Sequence, residues 1–204
     1  MEIRNQIVLV TGGARGVGAA AARAFAGQGA RVVVNWRASG EQAEALAAEL
    51  GERAIAIQAD VTDRAAVEAM VAQAEGHFGG PVSTVVNNAL DYRFNGDARA
   101  QMADIPWEDM ARQFSTVIHG ALNVIQATAP GMSAQKFGRV VNIGTNLFQN
   151  PVVPYHDYTA AKAALLSLTR TAAGGLGPSG ITGNMVSGGL LGTTDASAAA
   201  PDAV

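Results

Sequence analysis

The feature that most constrains the fold is a regular alternation of short β-branched runs with alanine-rich stretches along 204 residues. The runs are apolar throughout, which is typical of parallel strands that are buried on both faces. The alanine-rich stretches carry apolar residues at three- and four-residue spacing, which predicts amphipathic helices. Strand, helix and strand in repeated succession predict an α/β fold, with a parallel sheet between two layers of helices.

The alternation also predicts where each element lies. The predicted strands are Ile7–Val10, Arg31–Asn35, Ala54–Gln58, Thr84–Asn87, Arg139–Ile143 and a weaker Ile181–Val186. The predicted helices are Gly16–Gln28, Gly40–Leu50, Asp63–Phe78, Trp107–Met132 and Asp157–Ala173. Asp63 is expected to cap the third helix and Gly79 to end it, whereas Gly183 is expected to weaken the last strand. We expect a loop at Asp91–Ile105 and a flexible segment at residues 188–204 of one domain, 1–204.

Composition excludes several classes of function. A net charge of -3 provides no basic surface for nucleic acid. There is no cysteine, and the three histidines lack ligand spacing, so we expect no disulfide and no metal site. No apolar run is long enough for a membrane helix and the start lacks a signal peptide. A cytoplasmic protein that binds neither membrane nor nucleic acid is therefore expected.

A glycine-rich turn follows the first predicted strand and leads directly into the first predicted helix. Glycines let the backbone approach a pyrophosphate closely, and the unpaired N–H groups at a helix start favour an anion. The alternative is a tight turn that uses glycine for steric reasons alone. The residues expected at the phosphate are Gly12, Arg15, Gly16, Val17 and Gly18.

The end of the second predicted strand distinguishes the two nicotinamide cofactors. An acidic residue there would bind a ribose 2′-hydroxyl and repel a 2′-phosphate, but Asn35–Ser39 reads NWRAS. Arg37, with Arg15 nearby, can pair with a phosphate through two parallel hydrogen bonds. The sequence therefore favours NADP(H), with Arg37 and Ser39 as contacts. The alternative is that Arg37 is only a solvated surface residue.

Four motifs occur in the order of the short-chain dehydrogenase/reductase family. They are TGGxxGxG at Thr11–Gly18, Asp60-Val61, Asn87-Asn88-Ala89 and YxxxK at Tyr158–Lys162. Over nearly its whole length the chain resembles this family, in particular its 3-oxoacyl-acyl carrier protein reductases and related NADP-dependent carbonyl reductases.

This resemblance implies a Rossmann-type, doubly wound sheet in three layers. It also implies a last helix and a seventh strand that this chain lacks, so we expect the sequence to be truncated or incompletely given. A homodimer or homotetramer is implied as well. Asp60 is expected at the adenine edge, where an aspartate could equally cap a helix. The further cofactor contacts implied are Val61, Asn88, Tyr158, Lys162, Leu191 and Thr193.

Tyr158 and Lys162 are four residues apart, so a helix would place them on one face. An ammonium beside a phenol stabilises the phenolate, so we expect a lowered pKa of Tyr158 and proton transfer to or from a carbonyl oxygen. The alternative is an amphipathic helix that carries both residues by chance. By resemblance, Lys162 also binds the nicotinamide ribose. Thr145 stands where the family has a serine that contacts the substrate, or simply ends a strand.

Several residues depart from the family pattern. Val117 stands in place of an asparagine and cannot hold the water that relays protons to the lysine. His119 is a conceivable substitute, but it lies about 200° further around a helix. Leu90 replaces a glycine beside the expected nicotinamide path, and Gly188-Gly189 replaces a Pro-Gly turn.

The expected substrate pocket is mostly apolar or aromatic, which suits a neutral carbonyl compound. Its candidate residues are Leu147, Phe148, Tyr155, His156, Asp91–Phe94 and Leu190-Leu191. The favoured function is NADPH-dependent reduction of a ketone or 3-oxoacyl thioester, with Tyr158 as general acid. The alternatives are a catalytically weak NADP-binding protein with a regulatory or structural role, and a dehydratase or epimerase on the same scaffold.

Overall fold

A computed structural model describes residues 1–91 and 100–189 of the chain. Its strands are β1 (Ile7–Val10), β2 (Arg31–Trp36), β3 (Ala54–Gln58), β4 (Thr84–Asn87), β5 (Gly138–Thr145) and β6 (Ile181–Gly188). Its α-helices are α1 (Gly16–Gly27), α2 (Gly40–Leu50), α3 (Arg64–Phe78), α4 (Trp107–Phe114), α5 (Gly120–Ala134) and α6 (His156–Leu176). Short 3-10 helices cover Ile3–Asn5, Gly51–Arg53, Asn146–Phe148 and Gly177–Ser179.

The six strands form one sheet in the order β3-β2-β1-β4-β5-β6. Every neighbouring pair is parallel, which confirms the predicted α/β fold. The chain builds outward from β1 to β3 and then crosses back to β4 on the other side of β1. In such a sheet the connections diverge at the carboxyl ends of β1 and β4, and leave a crevice where ligands bind. The topology therefore fixes where a site is expected.

Each face of the sheet has its own apolar core, and the two cores confirm the three layers. On one face, alternate residues of β1 and β2 such as Val8 and Val32 pack with Ala22 of α1 and Leu46 of α2. On the other face, the intervening residues pack against α3 and α5, as Leu9 does. Such burial on both sides explains why these strands read as continuous apolar runs.

The ends of α3 agree with the sequence. Asp63 caps the helix, since its carboxylate accepts hydrogen bonds from the backbone N–H groups of Ala65 and Ala66. Gly79 follows with a φ of 70°, a left-handed conformation that suits glycine and ends a helix.

The predicted helix Trp107–Met132 is interrupted in a way that its sequence does not show. A π-helical turn, Ser115–His119, joins α4 to α5, and α5 runs on to Ala134. Directly after this turn the helix lies very close to Val61, because a Cβ on Gly120 would come 2.6 Å from the Val61 Cγ2. The π-helical turn thus lies where the helix packs tightly against Val61, in the segment between β3 and α3.

The last strand, β6, is not weakened by Gly183 as the sequence predicts. β6 pairs with β5 along its whole length. At Gly183 an added Cβ would lie 3.1 Å from the Thr169 carbonyl oxygen, so the glycine lets α6 pack closely against the strand. The expectation that both faces are buried is wrong for β6, since Thr182 and Val186 are exposed. The reason is that the described helices cover only the face that α6 packs against.

Two segments that the sequence predicts to be irregular lie partly outside the described residues. Inside the predicted loop Asp91–Ile105, the described residues form neither helix nor strand, and residues 92–99 lie outside the described part of the chain. From residue 190 onward, the predicted flexible segment also lies outside it. Within the described ranges, every helix is too short or too polar to span a bilayer.

Candidate active site

The glycine turn lies at the crevice, between the end of β1 and the start of α1. Gly12 and Gly16 have φ values of 59° and 54°, a region that other residues rarely adopt. Gly18 lies against the turn itself, because an added Cβ would come 2.3 Å from the Gly12 carbonyl oxygen. The glycines therefore fold the backbone back on itself and bring the first turn of α1 to the mouth of the crevice.

The turn is fastened to the end of β4 by hydrogen bonds. The Thr11 hydroxyl oxygen accepts from the backbone N–H groups of Asn88 at 2.9 Å and Ala89 at 3.0 Å. The Asn88 amide donates to the carbonyl oxygens of Thr11 and Gly12, both at 3.0 Å. Asn88, expected as a cofactor contact, thus ties the two strands that border the crevice.

Asn35 fastens the same turn from the other side, a role that sequence reasoning missed. This buried side chain accepts a hydrogen bond from the Gly12 N–H at 3.3 Å and donates one to the Ala59 carbonyl at 3.0 Å. The backbone carbonyl oxygen of Asn35 also accepts a hydrogen bond from the Gly13 N–H at 2.8 Å. The position of Asn35 at the end of an apolar run could have indicated this role. A polar side chain in a buried strand requires hydrogen-bond partners.

The start of α1 fits the pyrophosphate of a dinucleotide. Arg15 precedes the helix in an extended conformation and its side chain forms no capping bond, so the first N–H groups of α1 have no side-chain acceptor among the described residues. Arg15 and Gly16 are exposed and Val17 is half-buried. N–H donors without an intrahelical acceptor, next to a cationic side chain, are what an anion requires.

Tyr158, Lys162 and Thr145 are brought together at the carboxyl edge of the sheet. Thr145 ends β5, and its hydroxyl is hydrogen-bonded to Tyr158 near the start of α6. One turn further along α6, the Lys162 Nζ lies 5.7 Å from the centroid of the Tyr158 ring. The Lys162 Nζ donates to the Ile143 carbonyl oxygen at 2.5 Å, which directs the ammonium toward β5.

The expected lowering of the Tyr158 pKa is wrong for this arrangement. Burial raises the pKa of Tyr158 above its ordinary value, and the hydrogen bond from Thr145 lowers it by a smaller amount. Burial also lowers the pKa of Lys162 to about 8. Both shifts have one physical cause, since a poorly solvated site disfavours the phenolate and the ammonium alike.

A small cavity borders Lys162, and Val117 is part of its wall. Its volume of about 10 Å³ is close to what one water molecule needs. Polar side chains also line it, namely Thr11, Asn87 and Thr116. The Asn87 Oδ1 is buried without a hydrogen-bond partner among the described residues. His119 is exposed, so the suggested substitution for the missing asparagine is wrong.

The other residues that depart from the family pattern lie beside the crevice or at the end of β6. Leu90 packs against the cluster of Val117, Ala121, Ala161 and Leu165, so its side chain joins the helix packing beside the crevice. Val61 is buried in the core and also lines the cavity. Gly188 ends β6 and Gly189 follows it in irregular structure.

Arg37 and Asp60 face each other at the other end of the crevice. The Arg37 guanidinium lies 3.7 Å from Asp60 and 3.2 Å from Asp91. Asp60 also accepts hydrogen bonds from the Thr62 N–H and hydroxyl, at 2.9 and 2.8 Å. Burial works to raise the pKa of the Asp60 carboxyl, but these bonds and the Arg37 charge outweigh it and leave that pKa lowered. Ser39 directly precedes α2 and is half-buried.

The candidate pocket residues are described only in part. Leu147 and Phe148 lie in the 3-10 helix after β5, and Tyr155 and His156 lie at the start of α6, all four half-buried. The candidates Tyr92–Phe94, Leu190, Leu191 and Thr193 lie outside the described residues.

Comparisons with known proteins agree on one family. A family model described as short chain dehydrogenase matches residues 6–203. The 3-oxoacyl-[acyl-carrier-protein] reductase FabG of Staphylococcus aureus is 35% identical over 186 residues, which cover 90% of this chain and 73% of that protein. A sorbitol dehydrogenase of Cereibacter sphaeroides is 34% identical over 192 residues, covering 94% and 72%. A solved structure of a short chain dehydrogenase/reductase family protein is 36% identical with a TM-score of 0.80, covering 92% and 75%.

Proposed function

The chain belongs to the short chain dehydrogenase family, and we propose that it reduces a carbonyl compound to an alcohol with NADPH. The observation that carries the proposal is the hydrogen bond between Thr145 and Tyr158, with Lys162 one turn away on the same helix. This group lies at the same edge of the sheet as the glycine turn. A proton donor beside a dinucleotide site is what carbonyl reduction needs.

Bound NADPH would supply the hydride. The residues proposed to hold the cofactor are Gly12, Arg15, Gly16, Val17, Gly18, Arg37, Ser39, Asp60, Val61, Asn88, Tyr158, Lys162, Leu191 and Thr193. The fit rests on the uncapped start of α1 and on the tight glycine turn before it, in which Gly18 packs directly against the Gly12 carbonyl oxygen.

In this proposal Tyr158 donates the proton to the carbonyl oxygen of the substrate. Its raised pKa supports that direction, because a tyrosine that acts as an acid must carry its proton at neutral pH. Thr145 is a hydroxyl donor that can orient both the tyrosine and the substrate oxygen. Lys162, with a pKa of about 8, is protonated at neutral pH and stabilises the phenolate as the proton leaves.

The substrate class is proposed from the pocket and from the relatives. Leu147, Phe148 and Tyr155 are apolar or aromatic and lie around the start of α6. The Staphylococcus aureus relative is named for a 3-oxoacyl-[acyl-carrier-protein] reductase and the Cereibacter relative for a sorbitol dehydrogenase. We therefore propose a ketone or a 3-oxoacyl thioester as substrate.

We also propose that the chain assembles as a homodimer or homotetramer, and analytical ultracentrifugation would test this assembly.

The experiment is to follow NADPH absorbance with a panel of small ketones and an acetoacetyl thioester, for the parent chain and Tyr158→Phe. We expect turnover in the parent and a loss of at least about a hundredfold in Tyr158→Phe, with a much smaller loss of NADPH affinity because the other proposed cofactor contacts remain. Equal turnover in both chains would contradict the role of Tyr158.

A second candidate function is a catalytically weak NADP-binding protein with a regulatory or structural role. Val117 favours it, because an apolar side chain lines the cavity beside Lys162. NADPH binding without turnover on any carbonyl of the panel would support this second function and reject the first.

A further inference from the structure

Arg37 reaches across the crevice in which the cofactor is proposed to bind. It follows β2, whereas Asp60 follows β3 and Asp91 follows β4. In the sheet order, β1 lies between β2 and β4. To approach Asp91, the guanidinium must therefore pass over the end of β1, where the glycine turn begins.

Asp91 is the closer of the two carboxylates and has a buried anchor. The Arg37 Nη2 lies 3.2 Å from Asp91, against 3.7 Å from Nη1 to Asp60, whose carboxylate also bonds Thr62. The carbonyl oxygen of Asp91 accepts a hydrogen bond of 2.7 Å from Gln113 Nε2. Gln113 on α4 is completely buried, so it holds the Asp91 backbone beside the crevice.

We propose that Asp91 determines how tightly this chain binds the 2′-phosphate of NADP(H), by competing with that phosphate for Arg37. The inference rests on the proposed function, which assigns Arg37 to the 2′-phosphate. The Arg37 Nη1 and Nη2 now face the two carboxylates, and turning both nitrogens toward a phosphate weakens the contact with Asp91. The carboxylate of Asp91 then repels the phosphate. Asp91 therefore lowers the protein's affinity for NADP(H) and reduces the ratio of its affinities for NADP(H) and NAD(H).

The test uses two nucleotide probes that differ in one group. Adenosine 2′,5′-bisphosphate carries the 2′-phosphate and adenosine 5′-monophosphate lacks it. Titration calorimetry on the parent and on Asp91→Asn is expected to give about three- to tenfold tighter binding of the bisphosphate in the variant. The affinity for the monophosphate is expected to change less than about twofold, since the 5′-phosphate lies at the start of α1.

Glu49→Gln is the matched control. Glu49 forms an exposed pair with Arg23 at 2.6 Å and lies in the last turn of α2, at the opposite edge of the sheet. This variant removes the same charge from a similar ion pair, so it is expected to leave both affinities unchanged. Asp91→Asn is expected to fold normally, because Gln113 bonds the main chain of Asp91 rather than its carboxylate.

Arg37→Ala tests whether Asp91 acts through the arginine. In that background, Asp91→Asn is expected to tighten bisphosphate binding by less than about half of its effect in the parent. If Arg37→Ala weakens bisphosphate binding but Asp91→Asn leaves it unchanged, this inference is overturned, whereas the proposal that the cofactor is NADP(H) still stands. A bisphosphate that binds neither parent nor Asp91→Asn more tightly than the monophosphate overturns both.

Discussion

Replacement of Lys162 by methionine is expected to stabilise the protein at neutral pH while it removes turnover. The side chain is 3% exposed, and burial lowers its pKa from an ordinary 10.5 to about 8. That difference is a penalty of about 3 kcal/mol for the charged lysine in the folded state. Methionine fills a similar volume without a charge.

The net magnitude is smaller because one hydrogen bond is lost. The Lys162 Nζ donates to the Ile143 carbonyl, and removal of that donor costs about 1 kcal/mol. The free energy of unfolding of Lys162→Met is therefore expected to exceed that of the parent by about 2 kcal/mol near pH 7. For a chain of this size, this corresponds to a rise in Tm of about 4 to 8 °C.

The pH dependence of this difference is specific. Below about pH 8 the lysine is charged in both states and the full penalty is present. Between about 8 and 10.5 the folded lysine is neutral while the unfolded one still binds a proton, so the parent gains stability as the pH rises. The advantage of the methionine variant is expected to vanish near the top of this window.

Urea unfolding of parent and variant near pH 7 and near pH 10 measures both quantities. Lys136→Met is the control, because Lys136 is exposed and its replacement removes the same charge without relieving burial. An advantage that stays the same at both pH values would refute the reasoning, as would a variant less stable than the parent near pH 7.

Three further pairs of variants have expected outcomes. Thr145→Val removes the hydrogen bond that lowers the Tyr158 pKa. Turnover should therefore fall at least about tenfold, and the basic limb of the pH–rate profile should move to higher pH. Thr145→Ser keeps the hydroxyl and should retain the turnover and the pH profile of the parent. Gly18→Ala brings a Cβ within 2.3 Å of the Gly12 carbonyl oxygen, so NADPH titration should show a loss of affinity of at least about tenfold. Gly16→Ala, which meets nothing within 4 Å, should cost only about 1–2 kcal/mol of stability from its positive φ. Asn142→Ala breaks the buried chain from Asn87 to Thr169, and urea unfolding should show a loss of about 1–3 kcal/mol that the exposed Asn150→Ala does not share.

The sheet was predictable because its signals are local. β1, β3 and β4 have the predicted bounds, since each is an uninterrupted apolar or β-branched run that ends at polar or glycine residues. The cap at Asp63 depends only on the residues that follow it. Spacing within a few residues therefore decided both.

The remainder depended on contacts between distant segments. Asp91 contacts Arg37 because the sheet order places the ends of β2 and β4 on either side of β1. No local sequence pattern around either residue predicts this contact. The direction of the Tyr158 pKa was missed for a similar reason. Local spacing gave the neighbouring charge correctly, but burial by the rest of the fold outweighs it.

The π-helical turn at Ser115–His119 has a consequence for which changes of length the chain tolerates. Such a turn holds one residue more than an α-helix, so deletion of a single residue there would restore a continuous helix. Relative to α5, the adjoining helix α4 would then rotate by about 100° and shift by about 1.5 Å. Gln113 would leave the Asp91 carbonyl, while the apolar face of α5 would keep its place on the sheet. A shortened chain would thus keep the two apolar cores on the faces of the sheet but lose the packing of α4 against α6 at the edge of the crevice.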